Sequence, residues 1–396
     1  MMKIQFFSVI IILIGIIMFP VSCIESYVPV GVQDTAGILV VEGMILEKGT
    51  TIKLSRTIRL DSTLQRATNY NAVHNARVQV IDETKNVIAI AEQQIVNGKI
   101  SPGVYAVKGE ITFKPGTKYA LDIQVENKKY QSAFVSPVHT PEVDDVTWKQ
   151  NADKSIDIMV STHDPENKTN YFRWVFKEDW EYRANYFGKY VYIPNTGELI
   201  EQNIFGPNNR YYCWDSDVSK KILLATSDKH TESIIKNKLI HTLQPNNTRF
   251  SYLYSMLVKQ YALDKEAYTY FDNLQKNIES GGTIFAPQPT ELRGNIKCIS
   301  HPDEVVIGYI VAANETEYRL YINMEKIEGE DSYNCMELET YPIYELHTAY
   351  WKGLGICYVE WIETMVLYVC APIKCVDCLL RGGTKNKPDF WPNDHQ

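Results

Sequence analysis

Between Gly37 and Val125 the chain repeatedly alternates apolar with polar residues over short stretches, and each stretch ends at turn chemistry. Successive side chains on a strand point to opposite faces, so this period fits half-buried strands. Thr51–Thr57 (TIKLSRT) and Ala76–Asp82 (ARVQVID) carry the alternation, and Gly37–Ile45 (GILVVEGMI) is a β-branched run bounded by glycine. Gly103–Val107 leads through Pro115-Gly116 to Tyr119–Val125. Proline fixes φ and glycine accepts positive φ, so that dipeptide predicts a turn. Roughly seven short strands in about a hundred residues predict an antiparallel β-sandwich of immunoglobulin- or transthyretin-like type over residues 37–138.

At Pro137–Pro141 (PVHTP) the alternation pauses, and two close prolines predict an extended connector. Residues 139–396 then form a second, larger β-rich domain. Ser155–Val160 and Tyr171–Phe176 read as strands separated by the Asp164-Pro165 turn. One helix interrupts the pattern near residues 265–279: Asp264 can cap it, Ala267, Phe271, Leu274 and Ile278 mark one face, and Gly281-Gly282 ends it. This stripe predicts an amphipathic helix packed on a sheet.

The N-terminus predicts export. Lys3 precedes an apolar run, Phe6–Phe19, which at about fourteen residues is short of the ~20 that a spanning helix needs. Ser22 stands directly before Cys23, the arrangement that lipoprotein signal peptidases require. Residues 1–22 are therefore expected to be a signal peptide, Cys23 the lipidated mature N-terminus, and residues 23–36 an anchor and tether. An ordinary secretory signal with an incidental cysteine is the alternative.

Of eight cysteines, seven remain once Cys23 carries lipid: Cys213, Cys298, Cys335, Cys357, Cys370, Cys375 and Cys378. All are disulfide candidates, and an odd number leaves at least one thiol outside any intrachain bridge. All lie in the second half, which predicts that this half is cross-linked while the first folds by burial alone. Cys375-Val-Asp-Cys378 invites a zinc or redox reading, but a lone CxxC in an exported chain reads first as structural disulfides.

Composition excludes more than it names. A net charge of -8 without a basic stripe argues against nucleic-acid partners. The 26 Tyr and 7 Trp suit strands first and exposed aromatic platforms second. No G-x-S-x-G, H-E-x-x-H, P-loop or dinucleotide motif is present, and the eight histidines lack ligand spacing. Asp303 with Glu304, or Glu328 with Glu330, would serve as an acid pair only as any acidic sequence would. No catalytic residue, cofactor or metal site is therefore expected, and the chain reads as a non-enzyme.

A set of phrases resembles one family. Tyr211–Trp214 (YYCW), Tyr254–Leu263 (YSMLVKQYAL), Thr283–Pro289 (TIFAPQP), Gly294–Cys298 (GNIKC), the Val40–Gly43 strand and the closing Cys375–Cys378, Arg381–Thr384 and Lys387–Trp391 together resemble the Bacteroidota lipoproteins catalogued as domain of unknown function 4249. The resemblance implies an outer-membrane lipoprotein, on either face, that accompanies a TonB-dependent receptor. A non-catalytic accessory or ligand-capturing role in nutrient uptake is then expected, with a glycan or peptide as ligand. An envelope hydrolase acting on glycans or peptides, and a structural envelope protein, are the alternatives. Within these phrases Cys213 is expected to pair with Cys298, and Cys375 or Cys378 with one of Cys335, Cys357 and Cys370. Gly294 and Gly382-Gly383 are expected to supply turn conformations.

Overall fold

A computed structural model describes residues 37–58, 71–96, 98–204, 206, 209–280, 292, 294–329, 335 and 338–392. The signal peptide, Cys23, the tether, Gly281-Gly282, the Thr283–Pro289 phrase and Glu330 lie outside them. The fold is mainly β, and no helix among the described residues is long and apolar enough to cross a membrane.

The first half forms strands β1 (Leu39–Leu46), β2 (Thr51–Arg56), β3 (Arg77–Asp82), β4 (Val87–Val96), β5 (Lys99–Val107), β6 (Tyr119–Val125) and β7 (Lys128–Ser132). Each stretch that alternates in the sequence is a strand. The sheet is completed from far along the chain by β17 (Ile296–Cys298), β18 (Val306–Ile307) and β19 (Ala312–Ala313). Its order is β17-β7-β6-β3-β4-β5-β2-β1-β18, with β19 also pairing β1. The two ends of the order therefore belong to one short segment, and the sheet is rolled nearly closed around a core that includes Leu39, Ile52, Leu54, Val78, Leu121 and Ile123. Tyr105 is buried in that core because its hydroxyl donates to Val73 O at 2.9 Å and accepts from Ala76 N at 2.9 Å.

The seam of this roll is made by Gly294 and Asn295. The Asn295 side chain donates to Ile310 O and accepts from Ile310 N, both at 2.8 Å, in the manner of a neighbouring strand. A Cβ on Gly294 would lie 1.8 Å from Gly308 O, so this glycine is required for close approach of two backbones, not for the turn expected of it. Gly308 itself takes φ +147 against Val41 O. Gly382 does adopt a left-handed conformation, at φ +106.

The second half is a sandwich of two sheets. One holds β13 (Tyr212–Val218), β10 (Tyr171–Arg183), β16 (Leu253–Leu263) and β20 (Thr316–Asn323), with β14 (Leu223–Thr226) beside β10; the other runs β15 (Ile234–Leu243), β9 (Ile156–His163), β8 (Val143–Gln150). Ile156, Ile158, Phe172, Trp174, Met256 and Val258 fill the space between them. Gln260 is fully buried there and fully used: it accepts from Trp174 Nε1 at 2.8 Å and donates to Pro141 O at 2.8 Å and Thr162 Oγ1 at 3.0 Å. The 137–141 connector is thus pinned, further by Thr140 Oγ1 donating to Asn314 O at 2.6 Å.

The Lys265–Ser280 helix starts where Asp264 Oδ1 accepts from Ala267 N at 2.7 Å. Ala267, Tyr270 and Phe271 pack against Met44 and Leu46 of β1 and Leu263 of β16, joining the two halves. Ile278, expected on the apolar stripe, is exposed, because the contact surface ends before the helix does.

A further sheet follows: β21 (Glu339–Pro342), β23 (Met365–Pro372) and β22 (Leu354–Ile362), with the short hairpin β11 (Tyr190–Ile193) and β12 (Glu198–Glu201) against it.

Candidate functional site

Between the β11–β12 hairpin and the β21–β23 sheet lies a cavity of about 290 Å³. Tyr190 and Tyr192 form one wall; Leu346, Tyr350 and Ile356 form the other. Two glycines let the walls approach: a Cβ on Gly355 would sit 2.3 Å from Val376 Cγ2, and one on Gly188 would sit 2.9 Å from Ile356 O. The two charged side chains of the lining, Arg210 and Asp377, hold each other at 2.6 Å, and Asp377 also accepts from Leu379 N at 3.0 Å. Cys370 lines the cavity as a free thiol, and burial pushes its pKa up to about 12, which keeps it protonated and unreactive. This chemistry suits holding an apolar or aromatic group beside one polar anchor.

Aromatic rings lead from the cavity to the surface. Tyr192 lies 6.3 Å from Tyr350, and Tyr350 lies 5.6 Å edge-on to Trp351, which is 74% exposed. Trp361, near the tip of the β22–β23 hairpin, and Tyr344 are each 75% exposed, with Ile362 and Met365 exposed at the same tip. A concentration of large exposed apolar side chains on one subdomain marks a contact surface.

A second cleft, about 430 Å³ between Phe176 and Gln244, contains a carboxylate, Glu178, that is already committed. Glu178 accepts from Arg249 Nε at 3.0 Å, from Arg249 Nη2 and from Tyr254 Oη at 2.8 Å, with His241 Nε2 at 3.5 Å. Burial raises this carboxyl, but the hydrogen bonds from His241, Arg249 and Tyr254 and the Arg249 charge outweigh it and bring its pKa down to about 2. Three residues on, Glu181 moves the other way. Burial pushes it up to about 7, offset only in part by the hydrogen bond that Trp391 Nε1 donates to Oε2 at 2.9 Å. Two carboxylates with separated pKa values are the signature of an acid and base pair. Residues three apart on a strand, however, point to opposite faces, so Glu178 and Glu181 cannot meet one substrate. Glu181 is in addition covered by the C-terminal phrase, where Phe390 lies over Arg319 at 3.5 Å and Tyr321 Oη donates to Phe390 O at 3.1 Å.

One cysteine bridge departs from expectation and the other, Cys375 with Cys335, follows it. Cys213 bonds Cys378, not Cys298, with Cα atoms 5.8 Å apart, and Cys335 bonds Cys375. The reason is topological: Cys298 sits on β17 at the edge of the first sheet, while Cys213 sits on β13 of the second half, beside the C-terminal chain. The thiols of Cys375 and Cys378 thus go to different partners, which removes the zinc and redox readings of that CxxC. Cys298, Cys357 and Cys370 are free and buried. Of the acidic pairs, Glu304 is held by Lys128 and Tyr130 on β7, and Glu328 meets Lys154 at 3.5 Å on the surface. Sequence reasoning missed the cavity, whose one signal was the density of Tyr and Trp between Tyr341 and Tyr368.

No curated protein matches the chain. The family profile described as Domain of unknown function (DUF4249) matches residues 24–319, which includes β11, β12 and the sheet closure but stops before the β21–β23 wall of the cavity. With well over half of its length matched, the chain belongs to the DUF4249 family.

Proposed function

We propose that this protein is a non-catalytic outer-membrane lipoprotein of the Bacteroidota, anchored through Cys23, that docks on a TonB-dependent receptor and holds a ligand for uptake. The observation that carries the reading is the tyrosine-walled cavity, continuous through Tyr350 with exposed Trp351, on a subdomain that also exposes Trp361 and Tyr344. A binding role needs a concave apolar site with few polar anchors and an aromatic contact rim, and Trp and Tyr give large contact area at low entropic cost. The Arg210–Asp377 pair is neutralised internally, which favours holding over acid–base chemistry. The ligand is a peptide or glycan that presents an aromatic or apolar face.

Purification of the tagged full chain from its native membrane in mild detergent tests this. Recovery of a TonB-dependent receptor in near-equal amount is the expected result. A solitary protein that cleaves a polysaccharide or peptide panel, and loses that activity when one buried carboxylate is changed, is the result for a hydrolase and overturns the reading.

A further inference from the structure

Cys298, His301 and Glu304 each place one donor atom so that all three lie within 4.8 Å of one another. They stand at the end of β17 and in the turn after it, spaced three residues apart, and the segment closes the first sheet. Cys298 is 2% exposed and carries a free thiol, although two other pairs in the chain are oxidised. The thiol is kept out of those bonds because β17 carries it to the opposite sheet.

The surroundings organise the donors. Tyr130 Oη donates to Glu304 Oε1 at 2.7 Å and Lys128 Nζ to Oε2 at 2.6 Å, so the carboxylate is fixed from β7. Ser300 Oγ, which accepts from Lys129 N at 3.1 Å, lies 3.5 Å from Cys298 Sγ and 3.1 Å from His301 Nδ1, linking the sulfur to the ring. Tyr130 and Ser300 are neutral outer partners of the kind that orient metal ligands and hold their geometry.

We propose that Cys298, His301 and Glu304 bind a zinc ion. Sulfur, imidazole and carboxylate together match the donors zinc takes, and a thiolate disfavours calcium and magnesium, which prefer oxygen alone. Zinc distances of about 2.0–2.3 Å require the three donors to draw in by roughly an ångström, which the exposed His301 side chain can supply. Three protein ligands leave a fourth position to water. The bound ion ties residues 298–304 into one ring on the closing strand and so fastens the seam of the sheet. Lys128 acts against it, because its ammonium and the ion compete for Glu304.

The test uses the full mature chain freed of metal by chelator dialysis. Competition with a chromophoric chelator is expected to give one zinc per chain, and cobalt(II) in its place a thiolate-to-metal charge-transfer band. Cys298→Ser should abolish the band. His301→Gln, on an exposed side chain that folding does not need, should weaken zinc binding at least about tenfold. Lys128→Met should strengthen it, which a merely structural role for these residues does not predict. Absence of stoichiometric binding overturns the proposal. So does binding that survives in His301→Gln and Cys298→Ser but disappears when Cys357 and Cys370 are replaced.

Discussion

The side-chain amide of Asn295 exchanges two hydrogen bonds of 2.8 Å with the backbone of Ile310, taking the place of a strand where the first sheet meets itself. Neighbouring Gly294 has no room for a side chain, since a Cβ there would lie 1.8 Å from Gly308 O. Asn295→Ala is expected to cost about 1–3 kcal/mol by leaving Ile310 N and O unpaired. Gly294→Ala should cost more, about 3–4 kcal/mol, because two backbones must separate. Urea unfolding of the two variants checks the order; a Gly294→Ala variant as stable as wild type contradicts the closure.

Oxidative pairing is the second prediction. Non-reducing peptide mapping should link Cys213 with Cys378 and Cys335 with Cys375, and leave Cys298, Cys357 and Cys370 open to alkylation only after denaturation. The Cys213–Cys378 bridge spans 165 residues, so Cys378→Ala should lower stability by about 3–5 kcal/mol. Cys213→Ala on top of it should add little, as the two share one bond. A Cys213–Cys298 peptide would contradict the topology.

Stability should also depend on pH with two opposite limbs. Glu178 has its folded pKa lowered to about 2, so its contribution is present above the unfolded value of 4.5 and is lost as pH falls toward 2. Glu181 has its folded pKa raised to about 7, so its contribution is present below 4.5 and is lost as pH rises through 7. Stability is therefore expected to peak near pH 5. Glu181→Gln keeps an acceptor for Trp391 and removes the charge, so it should stabilise the protein by about 2–3 kcal/mol at pH 8 and little at pH 4.5. An equal effect at both pH values would exclude this origin.

Much of this architecture was legible because strands and the helix are local. Period-two alternation located β2, β3 and β6, and Asp264 marked the helix start. What was not legible depends on contacts between distant segments. No local pattern brings β17 and β18 back to the first sheet, so the expected break near residue 138 divides the chain without dividing its hydrogen bonds. Cysteine pairing follows that same return. The cavity was invisible for a related reason: Tyr190 and Ile356 become neighbours only through the packing of two hairpins 166 residues apart in sequence. Two of the family phrases proved to be structural parts, since GNIKC forms the seam and the final Pro-Asp-Phe-Trp391 covers Glu181.

Anchoring is the fourth prediction, and it rests on the apolar run and on Ser22 before Cys23. Cys23→Ala should move the protein out of the membrane fraction, because stable attachment needs acyl chains on that thiol. Full retention of the variant would show that the thiol does not carry the anchor.

The central claim is that the exposed aromatic side chains of the cavity's subdomain dock on a TonB-dependent receptor. Replacing both Trp351 and Trp361 by Ser removes two exposed side chains with no core role, so the variant should fold and remain in the membrane. The decisive measurement is the receptor-to-protein ratio after mild-detergent purification from native membranes. The account predicts a ratio near one for wild type and a loss of at least tenfold for the double variant. A wild-type protein that emerges alone, or a ratio unchanged by the double replacement, would contradict it.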